Sequence, residues 1–294
     1  YYTINSKKMT LENEYLFGYA TSMEERVSVL DTTIDNYTLK NLKKWKDRKS
    51  LLSEADFQTM LKFKNLSEVQ YDLAVSPLND TSLKKLYTFV KQQNWFKLHK
   101  KIFSIPRIYT PKSLEAALHF HVKFYMDFVS SLTTKYPMIS FDSTCINSIE
   151  KNITAQFMEL AQKTLVWDVR SKLENISKNT LNETEAFNYY LTHRFGTNTI
   201  EYFFLEYPTL TRLLSERLMY AMDNLEIIIN SIKTSKKELS TTFGIKPPFS
   251  INNLQSKKGD SHNKGKTTTI LEINHVLLVY KFRDNNILRN YNLL

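Results

Sequence analysis

Ten consecutive residues, Gly259-Asp260-Ser261-His262-Asn263-Lys264-Gly265-Lys266-Thr267-Thr268, concentrate the groups in this chain that could do chemistry. They hold two of its five glycines, and a carboxylate and an imidazole two positions apart. Lys257–Lys266 carries four lysines against one aspartate, a local charge of +3 that suits a phosphate. A carboxylate and an imidazole beside a phosphate can move protons near neutral pH. The bland alternative is a polar glycine loop in which Asp260 turns the backbone through an Asx bond and His262 is a solvent-exposed loop histidine.

Further on, Val279-Tyr280-Lys281-Phe282-Arg283 places a lysine near the end of an apolar run. Strand alternation puts Leu277, Val279 and Lys281 on one face and Val276, Leu278, Tyr280 and Phe282 on the other. A lysine in phase with apolar neighbours either reaches an anion or snorkels from a half-buried strand. A glycine loop, a strand, a turn and a strand with an inward lysine is the order in which kinase-like folds hold nucleotide phosphates.

The elements that must position these groups follow from periodicity. Lys266–Ile273 and Val276–Phe282 are short, β-branched and aromatic-rich, and Asn274-His275 between them reads as a hairpin turn. Residues 249–258 read as a polar loop. Upstream, from about residue 11 to 242, apolar residues recur at three and four. Leu210, Leu213, Leu214, Leu218, Ala221, Met222, Leu225 and Ile229 make one helical stripe, with Pro208 in its first turn. Phe157 to Val169 and Leu114 to Phe128 make two more. Weaker helices are expected near 54–63, 81–101 and 183–195, with Asp80 or Thr81 capping the second. Gly244-Ile-Lys-Pro-Pro248 ends the helical part. The fold class expected is mainly α with a small β element at the C-terminus.

Bulk properties exclude several classes. At 294 residues and 42% apolar, a large core can form, and five glycines and seven prolines argue against an all-β protein. The single cysteine, Cys145, rules out a disulfide framework or a thiolate metal site and fits a reduced, cytoplasmic setting. No apolar run reaches the ~20 residues of a membrane span. The net charge of +10 is spread along helix faces rather than gathered, so nucleic acid is not expected as a partner. His119 and His121 stand two apart on a helix and point away from each other, which disfavours a shared metal. His99 and His193 read as surface or edge histidines, the tryptophans at 45, 95 and 167 as core or rim packing, and Arg212 and Arg217 as salt-bridged on a helix flank. The chain opens without methionine, and Ile287–Leu294 reads as the first turns of a further helix, so a fragment of a longer protein is expected.

Gly-Asp-Ser-His-Asn-Lys-Gly-Lys (259–266), Leu-Val-Tyr-Lys-Phe-Arg-Asp (278–284) and Glu-Tyr-Pro-Thr-Leu-Thr-Arg-Leu-Leu (206–214) together resemble motifs of the class II lanthipeptide synthetases, in the first part of their dehydratase domain. The resemblance implies that residues 1–245 are the helical N-terminal region of that domain and 246–294 the start of a lipid-kinase-like N-lobe. It implies an enzyme that uses ATP and Mg²⁺ to phosphorylate Ser and Thr of a ribosomal precursor peptide and then eliminates phosphate to leave dehydroamino acids. By position, Lys281 matches the nucleotide lysine, and Asp260 and His262 match residues of the elimination step. The Mg²⁺ ligands would lie beyond residue 294, and zinc belongs to a cyclase domain outside this chain. The partner implied is the precursor peptide, with any membrane association made through an export complex. Two departures stand out: Phe282 occupies the family's proline position, and the turn at 274–275 lacks a glycine. A competing reading is a non-catalytic helical module that grips an acidic leader peptide.

Overall fold

A computed structural model describes residues 11–30, 41–44, 53–105, 109–176, 182–262 and 264–282, with the backbone alone at 11, 12, 175, 176 and 257–262. The proposed helix at 287–294 and Trp45 lie outside the described residues. Two compact units divide the chain, one of residues 1–97 and 201–212, the other of 98–200 and 213–294.

The first unit is helical. A 3₁₀ segment, Leu11–Ala20, precedes α1 (Met23–Val29), α2 (Glu54–Lys64), α3 (Glu68–Val75) and α4 (Asp80–Val90). Side-chain caps start these helices: Ser22 and Ser67 sit in reciprocal capping boxes with Glu25 and Gln70, and Asn79 caps α4. Asn79, not Asp80 or Thr81, therefore supplies the cap, and the helix expected over 81–101 is two, α4 and α5 (Asn94–Phe103). Leu42, Phe57, Leu61 and Tyr71 form one buried cluster, each apolar side chain contributing ~1.5–3 kcal/mol on burial. Arg212 holds Glu25 through two bonds, Nη1–Oε2 at 2.5 Å and Nη2–Oε1 at 3.0 Å.

The second unit carries the sheet. Its helices are α6 (His119–Lys135, entered through a 3₁₀ turn at Leu114–Leu118), α7 (Ser143–Ile176) and α8 (Glu183–Phe195). α9 (Ile200–Glu206) and α10 (Pro208–Thr234) follow, the chain passing from one unit to the other within each, and then α11 (Lys236–Phe243). At 34 residues, α7 is ~51 Å long. Asp168 on α7 is fully buried and accepts bonds from Tyr190 Oη (2.7 Å), Arg194 Nε (2.9 Å) and Arg194 Nη2 (2.7 Å), which fixes α8 against it. Two expectations fail here. His99 is buried, not at the surface, and Trp167 is exposed on α7.

Strands β1 (Ile139–Phe141), β2 (Phe249–His262), β3 (Lys266–Ile273) and β4 (Val276–Tyr280) form one sheet in the order β1-β2-β3-β4. β1 runs parallel to β2, and the other pairs are antiparallel. The fold class is as expected, mainly α with a small β element. The loop expected at 249–258 is instead strand: Phe249, Ile251 and Leu254 are buried, so its inward positions are apolar although its composition is polar. An irregularity in register between Ile251 and Asn253 moves the buried positions out of strict alternation, so spacing alone does not reveal the strand.

Candidate functional site

The site-bearing hairpin is anchored at its base. α11 ends on Gly244, whose φ of 69° lets its N–H reach Ser240 O while Ile245 N–H reaches Leu239 O, a helix-ending pair that needs a left-handed residue. The β3–β4 turn takes left-handed backbone at both Asn274 (φ 50°) and His275 (φ 64°), the two-residue geometry that suits strand twist. Asn274 holds that geometry without a glycine because its side chain is fully used. Its Nδ2 donates to Lys246 O (2.8 Å) and Pro248 O (3.1 Å), and its Oδ1 accepts from Ser250 N–H (2.7 Å).

At the other end of the sheet lie the three residues singled out by sequence. β2 does not stop before the glycines. It runs through Gly259, Asp260 and His262, and Lys264 and Gly265 lie in the turn before β3. The segment is thus a strand end with irregular register rather than a glycine loop ahead of a strand. His262 stands opposite Lys266 and Lys258 opposite Thr268, with a register shift between them. The last β3–β4 pair is Thr269 with Tyr280, one residue before Lys281. The pairing therefore brings the backbone of Asp260 and His262, the turn lysines and Lys281 to one end of the sheet.

The two faces differ. On β3, Thr267, Thr269, Leu271 and Ile273 are buried, and Tyr280, Leu278 and Val276 stand opposite the last three of these. On the other face Leu277 is 65% and Val279 60% exposed, and Lys281 continues that alternation in the open. Lys281 is therefore not a cation forced among buried neighbours. The unusual members of this face are its two exposed apolar side chains. These residues fit a nucleotide in kind, since a base asks for an apolar surface and its phosphates for a cation. Among the described residues no three His, Cys, Asp or Glu side chains group as a metal site.

Helix α10 closes the sheet end from the buried face. Asn224 Nδ2 donates to Lys264 O (3.1 Å), and Lys264 Nζ lies 5.9 Å over the ring of Tyr220. Gly265 needs its glycine, with φ 74° and the Arg217 guanidinium beside it. Of the two arginines read as salt-bridged, Arg212 pairs as expected, whereas no carboxylate among the described residues pairs with Arg217. Arg217 is the residue that sequence reasoning undervalued: its helical phase was legible, but not the turn it faces.

Away from the sheet end, His99 and His121 are both buried, His121 completely. The Phe103 ring lies 5.0 Å from His99 and 5.9 Å from His121. Desolvation lowers the pKa of His121 to about 3. Desolvation, then the charges of His121 and Lys100, holds His99 well below the ordinary histidine range. His119 instead stacks on Tyr109, at 4.0 Å between ring centres.

Residues 207–294 match a domain of unknown function, DUF4135, which is associated with lanthionine synthetase-like proteins. The matched stretch begins at the residue before α10 and takes in β2, β3 and β4. No curated protein matches the chain. No helix among the described residues is long and apolar enough to cross a membrane.

Proposed function

We propose that this chain is the N-terminal part of a lanthionine-forming dehydratase, with residues 1–245 as its helical region and 246–294 as the start of a kinase-like N-lobe. The observation that carries this reading is that strand pairing brings the backbone of Asp260, His262 and Lys281 to one end of a single sheet, within the stretch that matches the synthetase-associated domain. Lys281 would neutralise nucleotide phosphates, with Leu277 and Val279 as the apolar ground beside it. ATP with Mg²⁺ supplies the phosphoryl group transferred to Ser or Thr. Elimination then removes the α-proton of the phosphorylated residue and breaks its Cβ–O bond, the phosphate leaving with the electron pair. Asp260 and His262 would take and give those protons, in an order that the residue types alone do not assign.

The test uses the chain extended to its natural stop, with a cognate precursor peptide and ATP-Mg²⁺, followed by mass spectrometry. The wild type should remove one water per modified Ser or Thr. Lys281→Ala should yield unmodified peptide, and His262→Ala should yield phosphorylated peptide that accumulates. Dehydration at the wild-type rate by both variants would remove this assignment.

A further inference from the structure

The cavity between α10 and the β2–β3 turn has chemistry that the proposed nucleotide face does not use. It measures about 60 Å³, room for ~4 water-sized positions and thus for the four oxygens of one tetrahedral oxyanion. Arg217 and Lys264 bring cations to it, and among the described residues that line it none is acidic. The guanidinium sits at the turn itself, with Nη1 3.6 Å from where a Cβ on Gly265 would lie. Gln156 from α7 and the second N–H of Asn224 add neutral donors. Thr269 Oγ1 is turned to Thr267 O at 3.3 Å, while Tyr125, Tyr220 and Ser256 add hydroxyls to the lining. Leu225, Ile228 and Leu254 form the apolar part of the lining and lower the local dielectric, strengthening each charge-assisted bond. Thr267 and Thr269 place the cavity on the buried face of β3, opposite the face that carries Lys281.

We propose that this cavity binds a tetrahedral phosphate group through the Arg217 guanidinium and the Lys264 ammonium, at a site separate from Lys281. The two lie at the same end of the sheet on opposite faces, so one phosphate group cannot be shared between them. The site stands on its own geometry. Its further identification as the seat of the phosphate leaving a modified Ser or Thr rests on the function proposed above.

The experiment is calorimetric titration of the full chain with inorganic phosphate, at ionic strength matched with sodium chloride. Saturable binding is expected. Arg217→Gln should weaken it tenfold or more, Lys264→Gln about threefold, and Lys163→Gln, at an exposed position on α7, not at all. A second measurement needs no variant: phosphate should shield Arg217 of the wild type from phenylglyoxal, read by mass spectrometry. No saturable binding, equal weakening by Lys163→Gln and Arg217→Gln, or modification of Arg217 at the same rate with and without phosphate would overturn the site. Competition then separates the sources. A phosphoserine peptide that displaces phosphate marks the site as one for esters, and failure to displace marks it as one for the free ion. Phosphate binding in a protein that never dehydrates a peptide would leave the site standing and remove the proposed function alone.

Discussion

Acid should destabilise the second unit through its two buried histidines, and the size of the effect follows from their burial. Free histidine titrates near 6.5, whereas in the folded chain His121 is held neutral down to about 3. Between those values the unfolded chain binds a proton that the native chain refuses. Stability therefore rises with pH across this window and is lost as pH falls below 6.5. At pH 5 the unfolded-state histidine is mostly protonated while His121 is still neutral, which costs ~2 kcal/mol for His121 alone. His99 acts in the same direction, because desolvation, and then His121 and Lys100, also oppose its charge. The perturbation is His121→Phe, which keeps a ring beside Phe103 and Phe157 and removes the titration. The assay is urea unfolding followed by circular dichroism at pH 7.5 and pH 5. The difference in unfolding free energy between the two pH values should shrink by ~2 kcal/mol in the variant, whatever the absolute effect of the larger ring. The same loss on acidification in both proteins would refute the reasoning, since it would mean that His121 charges without cost in the fold.

Four further outcomes are expected. Asp168→Ala should cost ~3–5 kcal/mol in the same unfolding assay, because it leaves the largely buried Arg194 without its carboxylate. Asn274→Ala should cost ~2–4 kcal/mol, from the loss of three side-chain hydrogen bonds and a left-handed φ that alanine resists, with early amide exchange at Ser250 as its local signature. Arg212→Gln should cost ~1–3 kcal/mol through Glu25, seen as a lower urea midpoint. Val279→Glu should change stability by under ~0.5 kcal/mol, since the side chain is open to solvent. In the extended protein it should still weaken ATP binding measured by calorimetry, and unchanged affinity would count against the proposed nucleotide face.

The helices were legible wherever an apolar stripe was long. The stripe from Leu210 to Ile229 predicts α10, and the acids at Glu183 and Glu185 mark the first turn of α8. The β3–β4 hairpin was legible too, because β-branched alternation broke at Asn274-His275. Shorter signals failed for identifiable reasons. β2 is polar in composition, so its buried Phe249, Ile251 and Leu254 were lost among Ser, Asn, Gln and Lys. β1 is three residues long, and its strand character comes from parallel pairing with a segment about a hundred positions away.

The same division holds for the candidate site. Residue types and spacing mark Asp260 and His262 as a carboxylate and an imidazole able to move protons and Lys281 as a cation suited to an anion, because chemical character belongs to the side chain wherever it lies. Position belongs to the pairing of strands. Only the β2–β3–β4 register brings those residues to one sheet end, and only the packing of α10 on the turn sets Arg217 beside Gly265. Burial also depends on what packs against a residue: it made His99 an interior group and left Lys281 in the open with Leu277 and Val279. Solvent exposure and long-range contact depend on distant segments, so a local pattern carries the chemistry of a residue but not the surroundings that tune it.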